Sequence, residues 1–145
     1  GSGGYGFITK LADMVGRVKA GKVVMTVDSG ETVLPPIAVY ASSLINPDCK
    51  IVLASSDHRL LAFSIGELKV MSKGRGLQLM SLTEGASLEH VLVTTAAEFI
   101  VETVGKRGAA HQEKLRICDI DGKRGKKGKV LDISGRLKTL SAASE

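Results

Sequence analysis

Apolar and polar residues alternate with a period of two along most of this chain, and runs of β-branched residues fill the places where the alternation breaks. The pattern predicts strands over residues 6–10, 22–27, 32–40, 49–55, 59–65, 77–82, 91–95, 99–104, 115–118 and 129–133. Turn-forming residues separate them at Asp28-Ser29-Gly30, Asn46-Pro47-Asp48, Ser56-Asp57-His58, Glu84-Gly85 and Asp121-Gly122. Pro35-Pro36 interrupts the third run, which a strand tolerates only at a sheet edge or a bulge. Leu11, Met14, Val15 and Val18 fall at helical spacing, but segments 10–18 and 65–71 are brief and end at basic or Gly residues. They read as turns joining strands, with a single helical turn at most. The expected class is all-β.

Three of the strands share one kind of entrance. Each follows a Gly set among basic residues: Lys19-Ala20-Gly21-Lys22, Lys73-Gly74-Arg75-Gly76 and Lys127-Gly128-Lys129. From Gly to Gly the intervals are 55 and 52 residues (76 − 21 and 128 − 76), the period of a propeller-type blade. Residues 50–55 also match 90–95, each followed after a turn by a second strand near Leu60 or Phe99. The expectation is a partial ring of about three blade units, at 4–45, 46–88 and 89–135. The first is entered inside a blade, and residues 1–3 read as a cloning remnant. The second strand precedes its Gly by 14 residues in unit one (Phe7 to Gly21), 16 in unit two (Leu60 to Gly76) and 29 in unit three (Phe99 to Gly128). That excess predicts an insertion near residues 105–114.

Charge adds a direction to this repeat. The 145 residues carry 20 Lys and Arg against 15 Asp and Glu, a net charge of +5. Residues 106–129 hold nine basic and three acidic residues, a balance of +6, so the remainder sums to −1. One basic edge on a near-neutral body is the footprint of a phosphate binder. Gly permits close backbone approach, while flanking Lys and Arg meet phosphates without reading bases. Aromatics are only 3% of residues, and Phe7, Phe63 and Phe99 lie on predicted strands as core, so the pattern favours duplex over stacked single strands.

Other chemistry finds little support. His58, His90 and His111 are isolated from ligand or nucleophile partners. Residues 123–129 contain no P-loop, because Val130 stands where a hydroxyl is needed, and Asp119-Ile120-Asp121-Gly122 is too short for a calcium loop. Cys49 and Cys118 both lie in apolar runs and read as reduced core residues of an intracellular protein. There is no apolar stretch long enough for a membrane span and no signal-peptide pattern.

The ordered series Gly4-Tyr5-Gly6-Phe7-Ile8-Thr9-Lys10, Arg17 to Lys22, Val33-Leu34-Pro35-Pro36 and, above all, Met71-Ser72-Lys73-Gly74-Arg75-Gly76 resembles the C-terminal domain of the DNA-cleaving subunit of bacterial topoisomerase IV. The likeness runs from about residue 4 to 133. It implies a β-pinwheel, a propeller-like ring whose blades exchange strands and whose rim bends duplex DNA. It also implies a parent type II topoisomerase in which this domain captures DNA segments for ATP-dependent strand passage, serving relaxation, decatenation and chromosome segregation. Catalysis, ATP and Mg²⁺ then belong to other parts of the enzyme, with no catalytic site and no cofactor here; Tyr5 and Tyr40 are expected in pinwheel strands. Implied partners are duplex DNA, the N-terminal cleavage core of the same polypeptide, the separate ATPase subunit of topoisomerase IV and chromosome-organising proteins, in the bacterial cytoplasm at the nucleoid. The paralogous wrapping domain of DNA gyrase carries a Gln-Arg-Arg-Gly-Gly-Lys-Gly box, which this sequence lacks. That gyrase domain, and a protein-interaction propeller without a DNA role, are the alternatives.

On this reading the DNA-contacting residues are Arg17, Lys19, Lys22, Arg59, Lys73, Arg75, Lys106, Arg107, Lys123, Arg124, Lys126, Lys127 and Lys129, with no metal site. The cluster from 123 to 129 carries most of the expected contact.

Overall fold

The computed structural model describes residues 1–10, 25–105, 107–130 and 135–143. Nine strands are described: β1 (Tyr5–Gly6), β2 (Lys50–Ser55), β3 (Arg59–Ser64), β4 (Leu77–Gln78), β5 (Leu88–Thr94), β6 (Glu98–Val104), β7 (Ala110–Arg116), β8 (Lys129–Val130) and β9 (Arg136–Ala142). A four-residue helix, α1 (Ala41–Leu44), and two 3-10 turns, Ile65–Glu67 and Ile117–Asp119, complete them. The strands form three sheets, ordered β1-β4, β5-β2-β3-β8 and β7-β6-β9, all with antiparallel pairing. None closes into a barrel, and the expected all-β class holds.

One plan repeats through the sheets. β2 and β6 are central strands, each hairpinned to the next strand in sequence and flanked on its other side by a later one, β5 or β9. The hairpins open at Lys50↔Ser64 and Glu98↔Arg116, and the outer ladders shift register at Ala54/Ser55 and Glu102/Thr103. A 3-10 turn follows β3 and β7 alike, with Ile65 N donating to Cys49 O (3.1 Å) and Ile117 N to Ala97 O (2.9 Å). The equivalent of 50–55 is therefore β6, not 90–95 as the sequence pattern had it. β5 and β6 are both β-branched runs beside the same turn, and only backbone pairing distinguishes the central strand from its neighbour.

The expected insertion at 105–114 shrinks to four residues once equivalent strands are counted. Leu60 precedes Gly76 by 16 residues and its equivalent Gln112 precedes Gly128 by 16. What differs is the hairpin, where Ala54↔Leu60 spans six positions and Glu102↔Gln112 spans ten. Four extra residues lengthen that turn.

Neighbouring units exchange strands at the glycine corners. β1 pairs with β4 through Tyr5↔Gln78 and Gly6↔Leu77, and β3 pairs with β8 through Arg59↔Val130 and Leu60↔Lys129. Two residues on, Ile8 bridges Val70 and Ala62 bridges Asp121, both in parallel. Ile8 N donates to Lys69 O (2.9 Å) and Ala62 N to Ile120 O (3.0 Å), so the arrangement repeats bond for bond.

Two hydrophobic clusters lie between successive sheets. Ile51 and Leu53 join Leu61, Phe63, Ile65, Met80 and Leu88 in one, with Ile8, Leu34 and Val39 packed against it. Val52 and Ala54 turn the other way, to Phe99, Val101, Ile117, Ile120 and Leu137. A strand sandwiched on both faces needs no polar side, which explains the unbroken apolar run of β2.

Several expected elements are shorter or displaced. Of the first run only Gly6 is strand, within β1 (Tyr5–Gly6), of the sixth only Leu77–Gln78, and 32–40 forms none, ending instead at α1. Tyr40, expected in a strand, stands at the helix entrance and is 83% exposed. The ninth expected strand, 115–118, is β7 and begins at Ala110, so Cys118 falls in the following 3-10 turn and is exposed; of the two only Cys49 is a core thiol, its pKa pushed up by burial. β9 was not expected, because Arg136 and Lys138 break up its apolar positions. The single turn within 65–71 is present, whereas the segments at 11–24 and 131–134 lie outside the described residues.

Candidate nucleic-acid interface

Gly76 and Gly128 enter their strands with φ of +91° and +80°. A Cβ at either would strike the backbone carbonyl of the strand it joins, Gly6 O for the first and Leu60 O at 2.6 Å for the second. The absence of a side chain is what lets each basic corner press against the preceding unit.

The corners also contact one another through backbone. Thr26 N, on the segment leaving the first corner, donates to Gly74 O (2.8 Å), and Ser81 N, leaving the second, donates to Lys126 O (2.9 Å). Gly125 N donates to Leu79 O (2.7 Å). The second corner is thus bonded to the segment at Thr26 and the third to the segment that leaves the second, which sets these two basic segments side by side.

Charge along the track is uneven. At the second corner Lys73 is exposed, but Arg75 is held by Asp28 (3.0 Å) and Glu31 (2.9 Å) and lies over the Tyr5 ring at 3.9 Å. At the third, Lys123, Lys126, Lys127 and Lys129 are exposed and make no ion pair among the described residues. Arg124 is partly buried, donating from Nη1 to Gln78 O (2.7 Å) and from its amide to Glu67 (3.1 Å), so it ties the corner to β4. Arg59, beneath the corner, pairs with Asp57 at 3.3 Å. Arg107 is exposed on the lengthened hairpin. Arg17, Lys19, Lys22 and Lys106 lie outside the described residues.

The repeat identifies the cause of this unevenness. Counting back from the glycines, Lys127 is the equivalent of Arg75. The loop that clamps Arg75 recurs as well: Glu31 N donates to Asp28 O and Ala86 N to Thr83 O, both at 3.0 Å. Ser2 and Thr32 exchange the same bonds as Ser56 and Ser87, so Ser2 occupies a structural place in unit one. Asp28 and Glu31 hold the second corner, and the equivalent positions of the next loop are Thr83 and Ala86. Thr83 Oγ1 instead donates to Asp57 at 2.7 Å, and Ser55 Oγ donates to the same carboxylate. The Ser55 bond, then the Thr83 bond and the Arg59 charge, hold Asp57 ionised below the usual carboxylate range against a partial desolvation.

Exposed cations outside the expected set include Lys69, Lys114 and Arg136. Arg136 had a readable signal: Gly135-Arg136-Leu137-Lys138 is a further basic-Gly entrance, with Gly135 at φ +96°. Lys69 and Lys114 had none, because neither belongs to a basic-Gly entrance: Lys69 precedes the bridge at Val70 and Lys114 lies in β7 opposite Ile100.

Sheets stacked face to face, the first two completed by β4 and β8 from the unit that follows, define the β-pinwheel domain. The chain superposes on the C-terminal domain of E. coli ParC with a TM-score of 0.80 at 23% identity, covering 97% of this chain and 57% of that one. Against the DNA gyrase A C-terminal domain the TM-score is 0.74 at 21% identity, covering 99% and 47%. No family model matches. In sequence the chain is 64% identical over 141 residues to the A subunit of DNA topoisomerase 4 from Neisseria gonorrhoeae, and 29% identical over 133 residues to the one from Haemophilus influenzae. These matches cover 97% and 88% of the chain, which spans 18% and 17% of the two relatives. The resemblance to the C-terminal-domain region of the topoisomerase IV A subunit is borne out.

Proposed function

We propose that the chain binds duplex DNA without sequence preference, holding a bent segment by its phosphates along the stacked corners. The observation that carries this reading is the third corner, where four exposed lysines within seven residues have no carboxylate partner among the described residues. Bending a 20–30 base-pair site costs on the order of 1–6 kcal/mol, so several phosphate contacts must offset it. In the longer protein the domain captures DNA for strand passage by a type II topoisomerase, beside the cleavage core and the ATPase subunit, in the cytoplasm at the nucleoid. ATP and Mg²⁺ act in those other parts. Among the described residues, no three His, Cys, Asp or Glu side chains converge to hold a metal.

Salt dependence tests the proposal. Neutralising four to six phosphates gives a log–log slope of roughly −4 to −5, a loss of about two to three orders of magnitude between 50 and 200 mM salt. A flat response would sink it. Replacing Lys126 and Lys127 together by Glu is expected to weaken binding by at least about tenfold and to flatten the slope by about 2. Unchanged affinity in that variant would instead favour a protein-docking propeller.

A further inference from the structure

The two central hairpins, β2–β3 and β6–β7, turn at different heights. In β2–β3 the chain turns directly after Ser55, through Ser56-Asp57-His58, and the turn is tied down: Ser56 N donates to Ser87 O (2.8 Å), and Asp57 accepts from Thr83 Oγ1 (2.7 Å) and Arg59 Nε (3.3 Å). Thr103 is the equivalent of Ser55, because Ala54↔Leu60 matches Glu102↔Gln112. Beyond Thr103, β6–β7 adds the pair Val104↔Ala110 and a bond from Gly105 N to Ala109 O (3.0 Å) before it turns. Two further rungs at about 3.4 Å each carry its tip about 7 Å past that of its counterpart.

This longer tip is basic. Residues 105–109 read Gly-Lys-Arg-Gly-Ala, and no Asp or Glu stands between Glu102 and Glu113. Arg107 is exposed and makes no ion pair among the described residues, and a side chain added at the neighbouring Gly108 would meet nothing within 4 Å. Arg136, outside the expected set, is exposed at the base of the hairpin, opposite Val104. Turns of this kind lie at the corner end of a blade: Arg59, just past the turn of β2–β3, pairs with Val130, two residues after Gly128 of the third corner. The repeat sets the longer tip at the equivalent end of the blade that follows.

We infer, resting on duplex binding as proposed above, that the β6–β7 hairpin is a groove probe: its tip carries Arg107 into the minor groove of the bound duplex while Arg136 holds a flanking phosphate. The minor groove is about 6 Å wide and about 7.5 Å deep, too narrow for a two-stranded ribbon but open to one side chain held on a tip that stands about 7 Å proud. A duplex bent toward the protein narrows the minor groove that faces it, and the narrowed groove concentrates negative potential that draws in a guanidinium. Arg suits the position better than Lys because its charge is more weakly hydrated and enters a groove at less cost. The contact reads groove shape and not base order, in keeping with binding that has no sequence preference.

Duplexes of one sequence, built with either guanine or inosine opposite cytosine, test the contact. Inosine lacks the N2 amino group that guanine places in the minor groove and leaves the major-groove edge unchanged. In a titration over a salt series, the 145-residue chain is expected to bind the inosine duplex about threefold to tenfold more tightly. Arg107→Lys is expected to bind both duplexes alike with an unchanged salt slope, and Arg136→Ala to keep the preference while flattening the slope by about 0.9. Equal affinity of the parent chain for the two duplexes overturns the groove contact. So does a preference that survives in Arg107→Lys, as one arising from easier bending would. A slope unchanged in Arg136→Ala overturns the flanking phosphate contact. A salt response that is flat on both duplexes removes duplex binding itself, and the groove contact with it.

Discussion

The second and third basic corners share a backbone and differ in charge. Both are entered by a left-handed Gly pressed on a neighbour's carbonyl, both follow a parallel bridge, and both accept a backbone bond from an earlier segment, from Thr26 N at Gly74 O and from Ser81 N at Lys126 O. At one, Asp28 and Glu31 hold Arg75 on the face of Tyr5; at the other, Thr83 and Ala86 leave Lys127 in water. The corner is thus first a structural joint between blades. The cation is left unpaired where the facing loop carries no carboxylates.

The largest test concerns what the corners share. Gly76→Ala and Gly128→Ala are each expected to cost about 2 kcal/mol or more in denaturant unfolding, from the positive φ and the carbonyl clash together. A large cost at one and none at the other would break the structural equivalence.

The next concerns what differs. Ala86→Glu is expected to clamp Lys127 and weaken DNA binding by about threefold to tenfold, flattening the salt slope by about 0.9. Asp28→Thr with Glu31→Ala is expected to release Arg75 and steepen the slope by a similar amount. Titration of labelled duplex over a salt series reads both. No change in either variant removes the carboxylates as the cause.

A smaller effect sits under the third corner. His58 adopts φ +63° where the first unit has Gly4 at +88°. His58→Gly is expected to stabilise the chain by about 0.5–1 kcal/mol, strain relief exceeding the added chain entropy. Thermal melting checks it.

The smallest is a pH effect. Asp57 titrates lower folded than unfolded, so its contribution is fully present above the ordinary carboxylate range and is lost as pH falls through the folded value. The stability gap between the parent chain and Asp57→Asn is expected to be constant near neutrality and to close in acid. A gap that widens in acid reverses the sign and the assignment.

The long strands were legible because β2 and β3 carry apolar runs and β6 alternates with a period of two: β2, β3 and β6 lie within two residues of their expected starts, and β5 begins three earlier. Segment 32–40 has an equally good strand pattern and forms no strand, since a strand needs a partner as well as a pattern. The basic residues of 123–129 were legible as a charge cluster. That Arg75 is neutralised was not, since Asp28 and Glu31 lie 47 and 44 residues away in sequence.

Sequence alone determined the all-β class, the glycine period and the gathering of positive charge at one end, because strand burial, left-handed backbone and net charge are local properties of residues. Tertiary structure decided which strand is central in each blade, that the apparent insertion is a longer hairpin, and which corner keeps its charge free. Those depend on which backbone groups pair and which carboxylates come within about 3 Å of a cation, and both are set by contacts across blades.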